Sequence, residues 1–339
     1  MKRKGVFLFL FLGSLFSCAG NQDSLKIYSV TVNDVFSSFV SVNYDSRNGD
    51  LGKEITTLLT KIDALTDAYE AKDNANVYTL NLTNEEIEVD PSLFSLLKNS
   101  YSLQEKTDGY FSPLMGSLTS LWKKTLYGDE SDSHYTPKED DIEKAKESVA
   151  SLLEEKENSA LIFNDSSFSV KRVGKAKIDL GAIAKGFAIE EVKNLLKRNG
   201  SAHYLINGGT SSIAAGKTTT DGPFHVRLRY TGEEVIRYDL ENMDASMSSI
   251  YEQLVKVNGV SYSHLVSPKT GLPLTAFSSV FLVGEHSTEL DALSTACTFV
   301  DLQKIKEWEK EYDFKASVFK EGGEHAELVY ENAELERSK

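Results

Sequence analysis

Lys177-Ile-Asp179-Leu-Gly181-Ala-Ile-Ala-Lys185-Gly-Phe187 is the stretch on which the reading of this chain turns. Strand-type residues enter a Gly-Ala turn and leave it as a helix predicted over Gly186 to Lys197, after which Tyr204-Leu-Ile206 reads as a buried strand. Free amides at a helix start favour an anion, and Lys185 in the first turn adds a full charge. Gly181, Ala182, Ala184 and Gly186 are small enough to admit a ligand close to the backbone. The same residues serve equally well as a tightly packed strand-to-helix corner. The GxxxxGK[ST] spacing of a P-loop is absent.

Working outward, Val30-Thr-Val32 and the alternating Phe39-Val-Ser-Val-Asn-Tyr44 predict a strand pair. Residues 51–71 read as an amphipathic helix, with Leu51, Ile55, Leu58, Leu59, Ile62 and Leu65 at helical spacing. Leu80 to Val89 reads as extended, and Asp90-Pro91-Ser92 starts a helix with Leu93, Leu96, Leu97 and Tyr101 on one face. A turn at Asp108-Gly-Tyr-Phe-Ser-Pro113 leads into an irregular segment ending at Trp122, then a surface loop over 123–140 and a charged helix over 138–155. Strands are expected at 160–163, 167–171, 223–230, 234–240 and 278–283, and helices at 288–300 and 302–312. The strands cluster at hairpin spacing more than in βαβ alternation, so the fold class is α+β: one large domain with mainly antiparallel sheets and packed helices.

The N-terminus speaks to compartment. Lys2, Arg3 and Lys4 precede the apolar run Val6 to Leu12, and Leu15-Phe-Ser-Cys18 ends a small-residue cleavage site in cysteine. That order is a secretory signal over 1–17, with an apolar run too short to span a bilayer. Lipidation of Cys18 would leave 18–30 as a polar tether and 31–339 as the catalytic domain, extracytoplasmic and attached to the membrane through lipid only. The other cysteine, Cys297, lies in an apolar helical run and reads as a small hydrophobe, so no internal disulfide is expected. A formal net charge of −14, more negative still once the basic signal residues are removed, argues against nucleic acid as a partner.

Three further segments could carry chemistry. Asn207-Gly208-Gly209, after a strand, is a hairpin turn or a backbone platform for a ligand. Ser263-His264-Leu-Val-Ser-Pro268 places an exposed histidine before a Pro/Gly turn, either structural or a general base. Asp291 and Thr295, four apart on a helix, share one face and could both reach a hard cation, although an acid near a helix start is also a plain first-turn residue. No Cys/His spacing suits zinc.

Taken in order, these segments, with Phe36-Ser-Ser-Phe-Val-Ser-Val42, Leu80-Asn81 and Ser248-Ser-Ile-Tyr251, resemble the ApbE family, the FAD:protein FMN transferases. The resemblance implies a T-fold-related domain. It implies Mg²⁺ held by Asp291, Thr295 and the Ala182 carbonyl, and FAD, as substrate, contacting Asp179, Lys185, Asn207, Gly208, Gly209, His264 and Leu265. Tyr110, Phe111 and Ser112 would line the flavin site, Tyr69 would stack on a ring system, and His264 would assist catalysis. The acceptors would be exported flavoproteins, modified on Thr or Ser. The same site could instead hydrolyse FAD to FMN and AMP, or bind flavin without turnover. Where the family pattern carries acids, this chain has Ser112, Thr210 and Ser267, and Phe36-Ser37-Ser38 and Ser248-Ser249 stand for Met-Gly-Thr and Ser-Gly.

Overall fold

The structure is a computed structural model that describes residues 25–127, 137–140, 142–143, 160–209, 211–220, 222–231, 234–257, 260–322 and 326–332. The signal, Cys18, Thr210 and most of the expected charged helix over 138–155 lie outside the described residues.

Alternating apolar residues build the first hairpin, β1 (Ile27–Val35) with β2 (Ser38–Asp45), in which Val40, Val42 and Tyr44 point into the core. The first strand begins at Ile27, so the end of the expected tether is already part of the fold. From there an eight-stranded sheet runs in the order β1-β2-β6-β7-β10-β13-β14-β15, with every pair antiparallel. Its members are β6 (Tyr204–Gly208), β7 (Ser212–Ala215), β10 (Met243–Ser249), β13 (Ser279–Gly284), β14 (Lys315–Glu321) and β15 (Ala326–Glu331). β13 is buried along its whole length, which is why its sequence reads as an unbroken small and apolar run.

The helices α1 (Gly52–Thr66), α3 (Pro91–Lys106), α5 (Ala184–Arg198), α6 (Ser287–Cys297) and α7 (Leu302–Glu311) bury their apolar stripes with one face of this sheet in a single core. On the other face the hairpin β8 (Phe224–Thr231) and β9 (Glu234–Leu240) lays Val226, Tyr238 and Leu240 over Ala215, Met247 and Phe281. A three-stranded sheet, β3 (Glu86–Glu88), β5 (Ser169–Arg172) and β4 (Leu161–Asn164), stands apart, as does the hairpin β11 (Leu254–Val257) with β12 (Val260–Ser263). The α+β architecture expected from hairpin spacing is therefore the one observed. Cys297 is fully buried, and burial pushes its thiol up, as befits an inert core residue. Among the described residues no helix is long and apolar enough to cross a membrane.

Several expectations fail locally. The helix predicted to residue 71 stops at Thr66, because Asp67 turns extended and its carboxylate collects the amides of Tyr69 and Glu70. The segment expected to be extended from Leu80 instead begins within a short helix, α2 (Val77–Leu82). Buried Asn76 caps it through the Thr79 amide and anchors itself to the carbonyls of Ala64 and Glu70. The supposedly irregular run before Trp122 is helix α4 (Gly116–Tyr127), whose first residue lies so close to Lys177 that a side-chain carbon there would meet it at 2.8 Å.

Candidate functional site

α5 enters the core beside α6, and Gly186 permits the contact. A Cβ at that position would lie 2.3 Å from the Ser287 carbonyl oxygen and 2.6 Å from the Asp291 Cβ. The close approach changes the hydrogen bonding of the first turn. In an uninterrupted helix the Gly186 amide would return to the Ala182 carbonyl; here it donates to Asp291 Oδ2 at 2.8 Å. The Ala182 carbonyl is left without its helical partner.

Asp291 is buried and, among the described residues, has no cationic partner within ion-pair distance. Its Oδ1 accepts hydrogen bonds from Ser212 (3.1 Å) and Ser246 (3.0 Å), contributed by β7 and β10. Burial pushes its carboxyl above the usual carboxylate range, opposed by the Gly186 amide, the charge of Lys185 and the two serines. One turn on, the Thr295 hydroxyl lies 3.0 Å from Ser248 Oγ. A carboxylate and a hydroxyl one turn apart on α6 suit a hard cation that seeks oxygen. No cluster of three or more His, Cys, Asp or Glu forms a metal site among the described residues, so a cation here would rest on one carboxylate plus neutral oxygens and its ligand's own phosphates.

The residues expected to meet anions sit alongside. Lys185 runs past Gly208, where a Cβ would come within 3.4 Å of its Cδ, and its charge acts on both Asp291 and His264. The helix start is less of an anion cradle than its pattern suggests, because the Ala184 amide is spent on Leu180 and that of Gly186 on Asp291. Lys185 is thus the main source of positive potential. Gly209 takes φ +75° and lies against the β1–β2 turn, where a Cβ would meet Ser38 Oγ at 2.4 Å. The buried Asn207 Oδ1 has no hydrogen-bond partner.

Asp179 closes one edge. Its Oδ2 accepts from Thr119 on α4 at 2.7 Å and from the Tyr69 hydroxyl at 3.4 Å, and its Oδ1 accepts from the Gly181 amide. The Asn81 side chain holds both backbone groups of the neighbouring Ile178. The Tyr69 ring is 47% exposed, with Lys123 Nζ 3.4 Å from its centroid. His264, expected to be exposed, is half-buried at the end of β12. Burial lowers its affinity for a proton, the Gln253 carbonyl partly opposes this, and Lys185 lowers it further. Leu265 beside it is buried.

The 108–113 turn behaves differently from expectation. Tyr110 stays half-buried near Lys269 and Trp308. Phe111, by contrast, points into the core, and Ser112 is buried with its hydroxyl donating to Gln104 and accepting from the Leu114 amide. Ser267 is likewise spent inside its own turn, on the amides of Lys269 and Thr270, and Ser249 caps a single 3-10 turn, Ile250–Glu252. Pattern reading missed Thr119, Ser212 and Ser246, whereas Gly186 stood among the small residues of the expected tight corner. Isolated hydroxyls carry no spacing signal, and α4 was not foreseen. A shallow surface cleft over the three-stranded sheet, lined by Glu86, Ile162, Asn164 and Lys171, shares none of these groups.

Comparison with known proteins bears on this arrangement. The model of the ApbE family matches residues 27–318. A Buchnera aphidicola protein named FAD:protein FMN transferase is 23% identical over 313 residues, covering 88% of this chain and 87% of its own. The Treponema pallidum protein of the same name is 26% identical over 267 residues, 74% and 72% of the two chains. Among solved structures, the Thermotoga maritima ApbE protein superposes with TM-score 0.74 at 24% identity, over 93% of this chain and 97% of that one. Pseudomonas stutzeri flavinyl transferase ApbE, in its apo form, gives 0.74 at 20% identity, over 90% and 94%. At such identities the structural likeness is one of fold.

Proposed function

The chain belongs to the ApbE family, and from that premise we propose that it is a flavin transferase: an FAD:protein FMN transferase that depends on Mg²⁺ and esterifies FMN to a Thr or Ser hydroxyl of exported flavoproteins. The observation that carries the reading is the Asp291 corner, where a buried carboxylate, with no cation in ion-pair distance among the described residues, lies one turn from the Thr295 hydroxyl and draws the Gly186 amide away from Ala182. These residues would hold Mg²⁺, which when bound neutralises charge developing along the pyrophosphate.

The chain's own groups do the rest. Lys185 fixes a positive potential beside the phosphates. Asp179, held by Thr119 and the Gly181 amide, and the exposed Tyr69 ring position the dinucleotide. His264 accepts the proton of the acceptor hydroxyl as its oxygen bonds to the FMN phosphorus; the bond from that phosphorus to the bridging oxygen breaks, and AMP leaves with the electron pair. Cys18, a short way before β1, would carry the lipid that keeps the enzyme on the outer face of the membrane, where exported acceptors fold.

Incubating the protein with FAD, Mg²⁺ and an acceptor domain, then weighing all species, tests this. The acceptor should gain the mass of one FMN with release of AMP. Free FMN and AMP with an unmodified acceptor would replace transfer by hydrolysis, and unchanged FAD retained on the protein would leave a binding protein without turnover.

A further inference from the structure

His264 presents a difficulty for a base. Accepting a proton makes it a cation, and both its burial and the neighbouring Lys185 charge disfavour that state. Its Nδ1 is buried with no hydrogen-bond partner, so no carbonyl or hydroxyl fixes the ring from that side. Among the described residues one acid lies within ion-pair reach: Glu252, whose Oε2 is 3.9 Å from Nε2. That distance is beyond a hydrogen bond and within reach of one after a small rotation. Catalytic contacts in ligand-free sites are often long and tighten only when the complex forms.

Glu252 is well placed for this by its backbone. It ends the 3-10 turn Ile250–Glu252, which Ser249 caps by accepting the Tyr251 amide at 3.2 Å and which is tied down by the Ile250 amide to the Ser278 carbonyl. The next residue, Gln253, accepts the His264 amide at 3.3 Å, so the turn and the end of β12 are fastened to each other directly beside the pair. Both side chains are about three-quarters buried, His264 at 24% exposed and Glu252 at 25%, which weakens screening by solvent.

We propose that Glu252 is the positioning residue of His264: the counter-charge that turns Nε2 toward itself and stabilises the imidazolium formed when the acceptor hydroxyl gives up its proton. The charged groups facing the imidazole are then Lys185, which opposes protonation, and Glu252, which supports it. The inference rests on the base role given to His264 above, but the pair itself can be tested without turnover.

The experiment compares wild-type protein with Glu252→Gln and Glu252→Asp. Titration of His264 by NMR in the protein without FAD reads the pairing directly. Loss of the carboxylate should move the His264 pKa down by a measurable fraction of a unit or more, and aspartate should restore part of it. In transfer assays Glu252→Gln should lower kcat by about tenfold or more, leave KM for FAD unchanged, and shift the acid limb of the pH–rate profile to lower pH. A His264 titration identical in wild type and Glu252→Gln overturns the proposal, whatever the kinetics. A shifted titration in a protein whose turnover survives His264→Ala would uphold the pairing while removing the base role it was meant to serve.

Discussion

Two buried aspartates lie along the same seam between α5, α6 and the sheet, and they are treated in opposite ways. Asp244 on β10 meets the Lys193 ammonium in a closed ion pair and also accepts from the amide and hydroxyl of Ser287, while Lys193 donates to the Glu285 carbonyl. Burial raises the Asp244 carboxyl, and Lys193 is the main force pulling it back. Asp291, one turn along α6 from Ser287, receives one amide and two hydroxyls but, among the described residues, no cation. The first acid is complete in the protein alone and pins the start of α6. The second is satisfied as a hydrogen-bond acceptor but has no ion-pair partner among the described residues, which is what the proposed ligand role requires. Side by side, they separate a structural acid from a functional one by partners, since depth of burial is nearly the same.

If that contrast is right, mutations should split cleanly. Asp291→Ala should reduce metal-dependent turnover by about 10³-fold or more, because the charge neutralisation it anchors contributes several kcal/mol to the transition state; turnover within a few-fold of wild type would remove the metal role. Lys193→Ala should instead act on stability. Leaving Asp244 buried and unpaired costs about 3–5 kcal/mol, read as a lower urea midpoint, and adding Asp244→Asn should recover part of it. A single mutant as stable as wild type would show that the pair is not what fixes α6.

Gly186→Ala probes the boundary between the two acids. The added carbon would have to displace the Ser287 carbonyl and the Asp291 Cβ, costing about 1–3 kcal/mol by overpacking and moving the carboxylate away from Ala182. A stable protein with an unchanged metal response would contradict the close crossing. The smallest effect is expected in the β1–β2 turn. Ser37, at φ 56° in the β1–β2 turn, holds a left-handed conformation that costs a non-glycine residue about 1–2 kcal/mol. Ser37→Gly should therefore gain up to about 1 kcal/mol after glycine's own entropy is counted, and a loss of stability would show that the Ser37 side chain has a partner worth more than the strain.

The same contrast marks what the sequence could reveal. Asp90-Pro91-Ser92 announced α3 because the cap and the proline directly precede an apolar stripe at helical spacing. α2 was hidden because Val77-Tyr-Thr-Leu prefers strand, and its cap, Asn76, is held by carbonyls distant in the chain. In the site, Asp291, Thr295 and Lys185 stood out through helical spacing and resemblance. Ser212 and Ser246 did not, since the hydroxyls that hold Asp291 come from two strands joined only by the fold. Resemblance also carried Phe111 and Ser112 toward the flavin, and packing turned both inward. Ser267 is absorbed by its own turn, and Ser112 bridges its turn to Gln104 on α3, so both hydroxyls are spent on local structure.

The most direct test is the thermal stability of wild type and Asp291→Asn as Mg²⁺ is raised with FAD present. Binding to the folded state alone adds stability that grows with the logarithm of ligand concentration, about 2.7 kcal/mol at a hundredfold excess over Kd. Wild type should show a rising Tm and Asp291→Asn a flat one, while without metal the variant should be no less stable, having lost a buried charge that the Lys185 field and three hydrogen bonds only partly offset. Equal Mg²⁺-dependent shifts in both proteins would contradict the assignment of Asp291 as the open half of the pair.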